Sequence, residues 1–107
     1  MDRKGTDAGT VFVGSARVEV HLAGVASLKG KRAVLNRMKA ALQRELNCSV
    51  AEVGYQELWQ RSALGVATAA STATGAQRVL DRIVAIAERD PEVEVTRLDV
   101  DVLEERD

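Results

Sequence analysis

Hydrophobic and polar positions alternate strictly from Ala16 onward. Ala16, Val18, Val20 and Leu22 fall on one side, and Arg17, Glu19 and His21 on the other. A period of two predicts a half-buried strand, and Gly14-Ser15 just before it predicts a bend or bulge. The spacing then changes. Val34, Leu35, Met38, Ala41, Leu42 and Leu46 recur at helical intervals, so a helix is expected from Leu28 to Leu46, capped by Ser27 and stopped at Asn47. CSVAEV reads as a second strand and YQELWQ as a connection. RSALGVATAAS reads as a third strand, with Leu64, Val66 and Ala70 facing one way. Its other face carries only Ala63, Gly65, Ala67 and Ala69, all small and uncharged.

Thr74 with Gln77 resembles a capping box, which predicts a second helix from about Gly75. Val79, Leu80, Ile83, Val84 and Ala87 form its stripe, and Asp90-Pro91 ends it because the residue before proline is driven out of the helical region. In the last strand, EVEVTRLDVDVL, the apolar parity switches from Val93 and Val95 to Leu98, Val100 and Val102, predicting a bulge near Thr96. The βαββαβ order predicts an α+β fold, the ferredoxin-like plait: a four-stranded antiparallel sheet with two helices on one face. Residues 1–10 are expected to be a disordered tail, 11–103 one domain and 104–107 a frayed end.

Composition adds constraints. The 107 residues hold a single cysteine, Cys48, a single histidine, His21, and 3% aromatics, so the core must be aliphatic and neither an intrachain disulfide nor a structural zinc site is expected. MDRKGTDAGT lacks a signal peptide's apolar run, and no stretch approaches a membrane span, so the expected compartment is the cytoplasm, with no membrane or metal partner. The net charge of −1 hides an asymmetry: residues 1–44 carry nine bases and three acids, residues 81–107 four bases and ten acids.

The candidate chemistry is that of binding. Ser27, Lys29, Lys31, Arg32, Arg37 and Lys39 lie in a stretch with no acid between Val20 and Arg44. Cations at a helix start oppose the helix dipole, which suggests either an external anion such as RNA phosphate or a solvated face paired with the acidic C-terminal strand. The segment GVASLKGKR fails as a P-loop, because five residues separate Gly24 from Gly30 and Arg32 stands where a Mg²⁺-binding hydroxyl belongs. His21 with Glu19 has no nucleophile tied to it, and Cys48 reads as a small apolar residue. Tyr55, Gln56, Trp59, Gln60 and Arg61 crowd the second hairpin, either as a recognition or dimer-contact patch or as cover for the core edge. The strip Ala63, Gly65, Ala67 suits close packing against a second copy. It lacks the stacking aromatics of an RRM-type RNA platform.

These motifs together resemble the YlxP-like family of small bacterial proteins over about residues 11–103. SLKGKR is similar to the family's S-L-K-x-K-R element, and QELWQR to its Q-D-L-W-Q-R element, with Glu57 differing and Gly54-Tyr55 standing where the family often has Asp-His. The resemblance implies a ferredoxin-like fold and a function not established. It also implies genes often neighbouring those of transcription, translation initiation and ribosome maturation. The expectation is a non-enzymatic protein without cofactor that contacts RNA or a ribosomal subunit. The alternative is a dimeric protein–protein module with no nucleic-acid role.

Overall fold

The computed structural model describes residues 9–106. Four strands, β1 (Val11–Leu22), β2 (Ser49–Gly54), β3 (Arg61–Ala70) and β4 (Val93–Glu105), form one antiparallel sheet in the order β2-β3-β1-β4. Helix α1 (Leu28–Glu45) joins β1 to β2. The second crossover comes in two pieces, α2 (Ala73–Leu80) and α3 (Ile83–Ala87). This is the ferredoxin-like plait: each crossover lays its helix on the same sheet face, and the core forms between.

The core is aliphatic, as the scarcity of aromatics requires. Val18, Val20 and Leu22 of β1 and Leu64 and Val66 of β3 meet Val34, Leu35, Met38 and Leu42 of α1, and Leu80, Ile83 and Ile86 of α2 and α3. The Ser27 hydroxyl accepts from the Gly30 amide at 2.9 Å and caps α1 as expected. The second helical segment starts earlier than expected. Thr72, not Thr74, is its cap, with its hydroxyl accepting from the Gly75 amide at 2.9 Å.

Two further expectations are corrected. The β1 ladders run unbroken through Gly14 and Ser15, so no bulge lies there. Gly14 serves close packing instead: a Cβ on it would stand 3.1 Å from Thr68 Cγ2 and 3.3 Å from both Ala76 Cβ and Leu80 Cδ1. The expected frayed end also begins too soon, since β4 continues through Glu104 and Glu105, paired with Phe12 and Val11. The parity switch in β4 does mark an irregularity: the β1–β4 register shifts between Glu19 and Val20, where the Thr96 hydroxyl bonds the Glu19 carbonyl at 3.2 Å. The expected N-terminal tail lies, for residues 1–8, outside the described residues.

Candidate functional site

The two motif segments, SLKGKR at the start of α1 and QELWQR before β3, meet at one place. Lys31 is the hinge of that meeting. Successive residues of a helix are rotated by about 100°, so the cations of α1 cannot share one face. Lys31 points inward and is only 2% exposed. Its ammonium donates to the carbonyls of Tyr55 at 2.7 Å and Leu58 at 2.6 Å, and lies 3.2 Å from Glu52 Oε2. The expectation that Lys31 offers its charge to an external anion is therefore wrong. A buried ammonium must be paired and hydrogen-bonded, and this one is satisfied by the loop.

Glu52 completes the arrangement. It sits on β2 opposite Leu64, facing the helices, with its side chain 9% exposed. Its second contacts are the Ser62 hydroxyl, donating at 2.9 Å, and Arg32 at 3.4 Å. The signal for Glu52 in the sequence was a lone acid in the otherwise uncharged run CSVAEV, which had no meaning until the basic helix start was known to lie above it.

The loop is held at two more points. The Gln60 side chain donates to the Val25 carbonyl at 2.9 Å, and the Gln60 carbonyl accepts from the Leu22 amide at 2.9 Å. Tyr55 turns the chain in the left-handed region, with φ of +57°, a conformation costly for a residue with a Cβ. Its ring lies beneath the Arg61 guanidinium, 4.0 Å from the ring centre, and its hydroxyl is 3.4 Å from Glu19 Oε1. Glu19 also binds Arg17 and, at 3.3 Å, Arg61. The Arg17 guanidinium holds the Glu19 carboxyl below the ordinary range, and Arg61 adds to this. Glu19 is thus committed to arginines. His21 faces Glu94 at 3.8 Å instead, so the Glu19–His21 pair weighed from the sequence does not form.

What this scaffold displays is a pair of apolar side chains flanked by the acid Glu57 and the cation Arg61. Trp59 is 50% and Leu58 47% exposed, so Trp59 does not cover the core edge. A shallow cavity of about 600 Å³ beside them is lined by His21, Glu57, Leu58, Trp59, Gln60 and Arg61. Gln56 is exposed, its amide turned back on the Glu52 carbonyl at 3.3 Å.

The remaining candidates separate. Arg37 lies across α1 from Arg32 and is occupied by Asp90 at 2.8 Å and Glu92 at 3.4 Å. Lys29 is exposed and Lys39 half-buried, and neither has an ion-pair partner among the described residues. On the open sheet face Ala63 is fully buried, not an available contact, because Arg17 and Gly54 close over it. Gly65 is half-covered by Val53, and Ala67 is exposed. Burial pushes the Cys48 thiol up, which disfavours its thiolate. Among the described residues no group of three or more His, Cys, Asp or Glu side chains could hold a metal ion, and no helix is long and apolar enough to cross a membrane.

Residues 13–100 match the model of a protein family described as "Protein of unknown function (DUF503)". This chain belongs to that family. It is 38% identical over 85 residues to the uncharacterized protein YlxP of Bacillus subtilis (strain 168), an alignment covering 79% of this chain and 92% of the relative. Among solved structures it is similar to the de novo designed protein Foldit4, with a TM-score of 0.52 and 17% identity over 90% of this chain and 99% of that one. That likeness concerns the fold alone. The family places YlxP-like sequence on this plait and leaves its activity open.

Proposed function

We propose that this DUF503 chain is a non-enzymatic binding protein that engages RNA, free or within a ribosomal particle, through the joint surface of the α1 start and the 55–61 loop. The observation carrying this reading is how Lys31 is used. A buried ammonium is held by Tyr55, Leu58 and Glu52 to fix a loop whose Trp59 stays half exposed. A rigid, exposed aromatic offers a stacking surface at little entropic cost, and base stacking on such a ring is worth about 1–3 kcal/mol. Arg61 and Arg32, 48% and 63% exposed, and Lys29, which has no ion-pair partner among the described residues, are the exposed cations of these two segments that would serve as phosphate contacts.

Filter binding of single-stranded RNA across a salt series tests this. Trp59→Ala is expected to weaken binding at least about fivefold at every salt concentration, the loss of one stacked base. Replacing Lys29, Arg32 and Arg61 by Ala is expected to flatten the salt dependence. Wild-type affinity and slope in both variants would overturn the reading.

A second reading keeps the open sheet face as a contact between two copies. It is favoured by a shallow groove of about 340 Å³ lined by Ser15, Ser49, Ala51, Gly65 and Ala67 with no charged side chain in it. Sedimentation equilibrium of the wild type and Ala67→Arg distinguishes the two. A dimer that the arginine disrupts, with no RNA binding, would support this second reading.

A further inference from the structure

The sheet has two free edges, and they are built differently. β4 is thirteen residues long and carries Glu94, Asp99, Asp101, Glu104 and Glu105, the kind of charge that discourages another strand from pairing. β2, at the other edge, has no outward-facing acid, and its one irregularity, the register shift between Glu52 and Gly54, leaves Ser49 to Glu52 in regular pairing. Its sequence, SVAEVG, holds one acid, Glu52, and that carboxylate is turned inward onto Lys31. Ser49, Ala51 and Val53 are exposed, and the strand has no proline. Apart from the Gln56 amide on the Glu52 carbonyl, no group among the described residues bonds its free edge.

The two sides of this bare edge differ in chemistry. On the helix side, α1 presents Arg32 and, two turns on, Lys39, on one stripe of the helix. Seven residues of helix advance about 10 Å, and three residues of strand about the same. With α1 antiparallel to β2 and Arg32 level with Glu52, Lys39 therefore lies level with Ser49. No acid on α1 interrupts the stripe. On the open side the edge strand presents only Ser49, Ala51 and Val53, all exposed and uncharged.

We infer that the β2 edge accepts an extended acidic polypeptide segment as a fifth strand. Its acidic side chains would face Arg32 and Lys39, and the alternate apolar ones would lie beside Ser49, Ala51 and Val53 on the open face. Main-chain bonds to β2 supply the affinity, and the period-two alternation of acid and apolar residue supplies the specificity. A second copy adding its own β2 fits less well. Two-fold pairing of the edges would bring the Arg32–Lys39 stripes of both copies together, and like charges facing each other oppose association.

The test uses a fluorescent eight-residue peptide alternating Val and Asp, a control alternating Val and Lys, and the full chain. The expected results are saturable binding of the Asp peptide only, a loss of at least tenfold in Arg32→Glu/Lys39→Glu, and slowed amide exchange confined to β2. The Trp59→Ala variant should bind the peptide as the wild type does, so failure of the RNA reading leaves this result standing. Equal binding of both peptides, no binding of the Asp peptide by the wild type, or undiminished binding by a charge-reversal variant that circular dichroism shows correctly folded would overturn the inference. So would a concentration-dependent dimer that protects the β2 amides without peptide.

Discussion

The Lys31 ammonium lies 2.6 Å from the Leu58 carbonyl oxygen, and this contact joins two segments twenty-seven residues apart into one surface. It also reassigns the lysine. The residue most central to the basic motif is the one least available to a ligand, and it acts through the loop it holds.

Removing that lysine should be costly. Lys31→Met leaves the Glu52 carboxylate held only by the Ser62 hydroxyl and the more exposed Arg32, strips the Leu58 carbonyl of its ammonium donor, and breaking one side of a buried pair costs up to about 3–5 kcal/mol. Urea unfolding measures this. Lys31→Met/Glu52→Leu is expected to recover part of the loss, because the uncompensated charge is gone. Additive losses in the double variant would show that the two side chains are not coupled.

The loop's order has an optical signature. Trp59 is the sole tryptophan. Its environment depends on anchoring by Lys31 and by the Gln60 amide on Val25. Gln60→Ala is expected to leave the fold intact but to raise acrylamide quenching of Trp59 and red-shift its emission. Unchanged quenching would mean that the loop holds its shape without this bond.

Tyr55 sits at positive φ, so backbone and side chain pull in opposite directions. Tyr55→Gly and Tyr55→Ala both lose the Arg61 and Glu19 contacts, but only glycine relieves the left-handed strain. The glycine variant is expected to be the more stable of the two by about 1 kcal/mol, read from denaturation midpoints.

The helix caps provide a direct comparison. Thr72→Ala should cost about 1 kcal/mol, because the Gly75 amide loses its acceptor. Thr74→Ala, at an exposed position inside α2, should be near neutral. The reverse order would place the cap where the sequence pattern alone put it.

Acid should weaken the fold along a definite path. Arg17 holds the Glu19 carboxyl, and Arg89 the Glu45 carboxyl, below the ordinary value of 4.5. A carboxylate whose folded value lies below its unfolded one contributes stability that is complete above the unfolded value and is lost as pH falls through the folded one. The urea midpoint should therefore stay level from pH 8 to about 5 and drop below about 4.5. Glu45→Gln should flatten that drop, as should high salt, since these pairs are solvent-facing.

Local pattern determined much of this protein. The alternation in β1 and the 3.6-residue stripe of α1 needed only their own residues, because each face of a strand or helix meets one environment. The irregularity near Thr96 was also written locally, in the parity of apolar positions, whereas the last helical segment ends at Ala87, before the expected stop at Asp90-Pro91. The family resemblance came from two short motifs in fixed order. The start of the second helix was misread because Thr72 and Thr74 both precede an Ala-rich stretch without strong periodicity. The structure places the cap at Thr72, whose hydroxyl accepts from the Gly75 amide, with Ala76 and Leu80 of α2 packed close to Gly14 of β1.

The site divides differently. That a basic helix start and an aromatic hairpin matter was visible in residue type. Their being one place was not. Lys31 among its neighbours looks like another surface cation, since a helix exposes its residues until something covers them. The sheet order β2-β3-β1-β4 sets β2 and the 55–61 loop under the first turns of α1. Burial then obliges Lys31 to find Glu52 and the loop carbonyls. The same placement covers Ala63, splits the remaining cations between opposite sides of α1, and leaves β2 as the edge with no outward-facing acid. The sequence by itself determined which elements form and which residues are unusual. Tertiary packing decided which of those residues are spent inside the protein and which remain to meet a partner, because burial, unlike periodicity, depends on what lies across the chain.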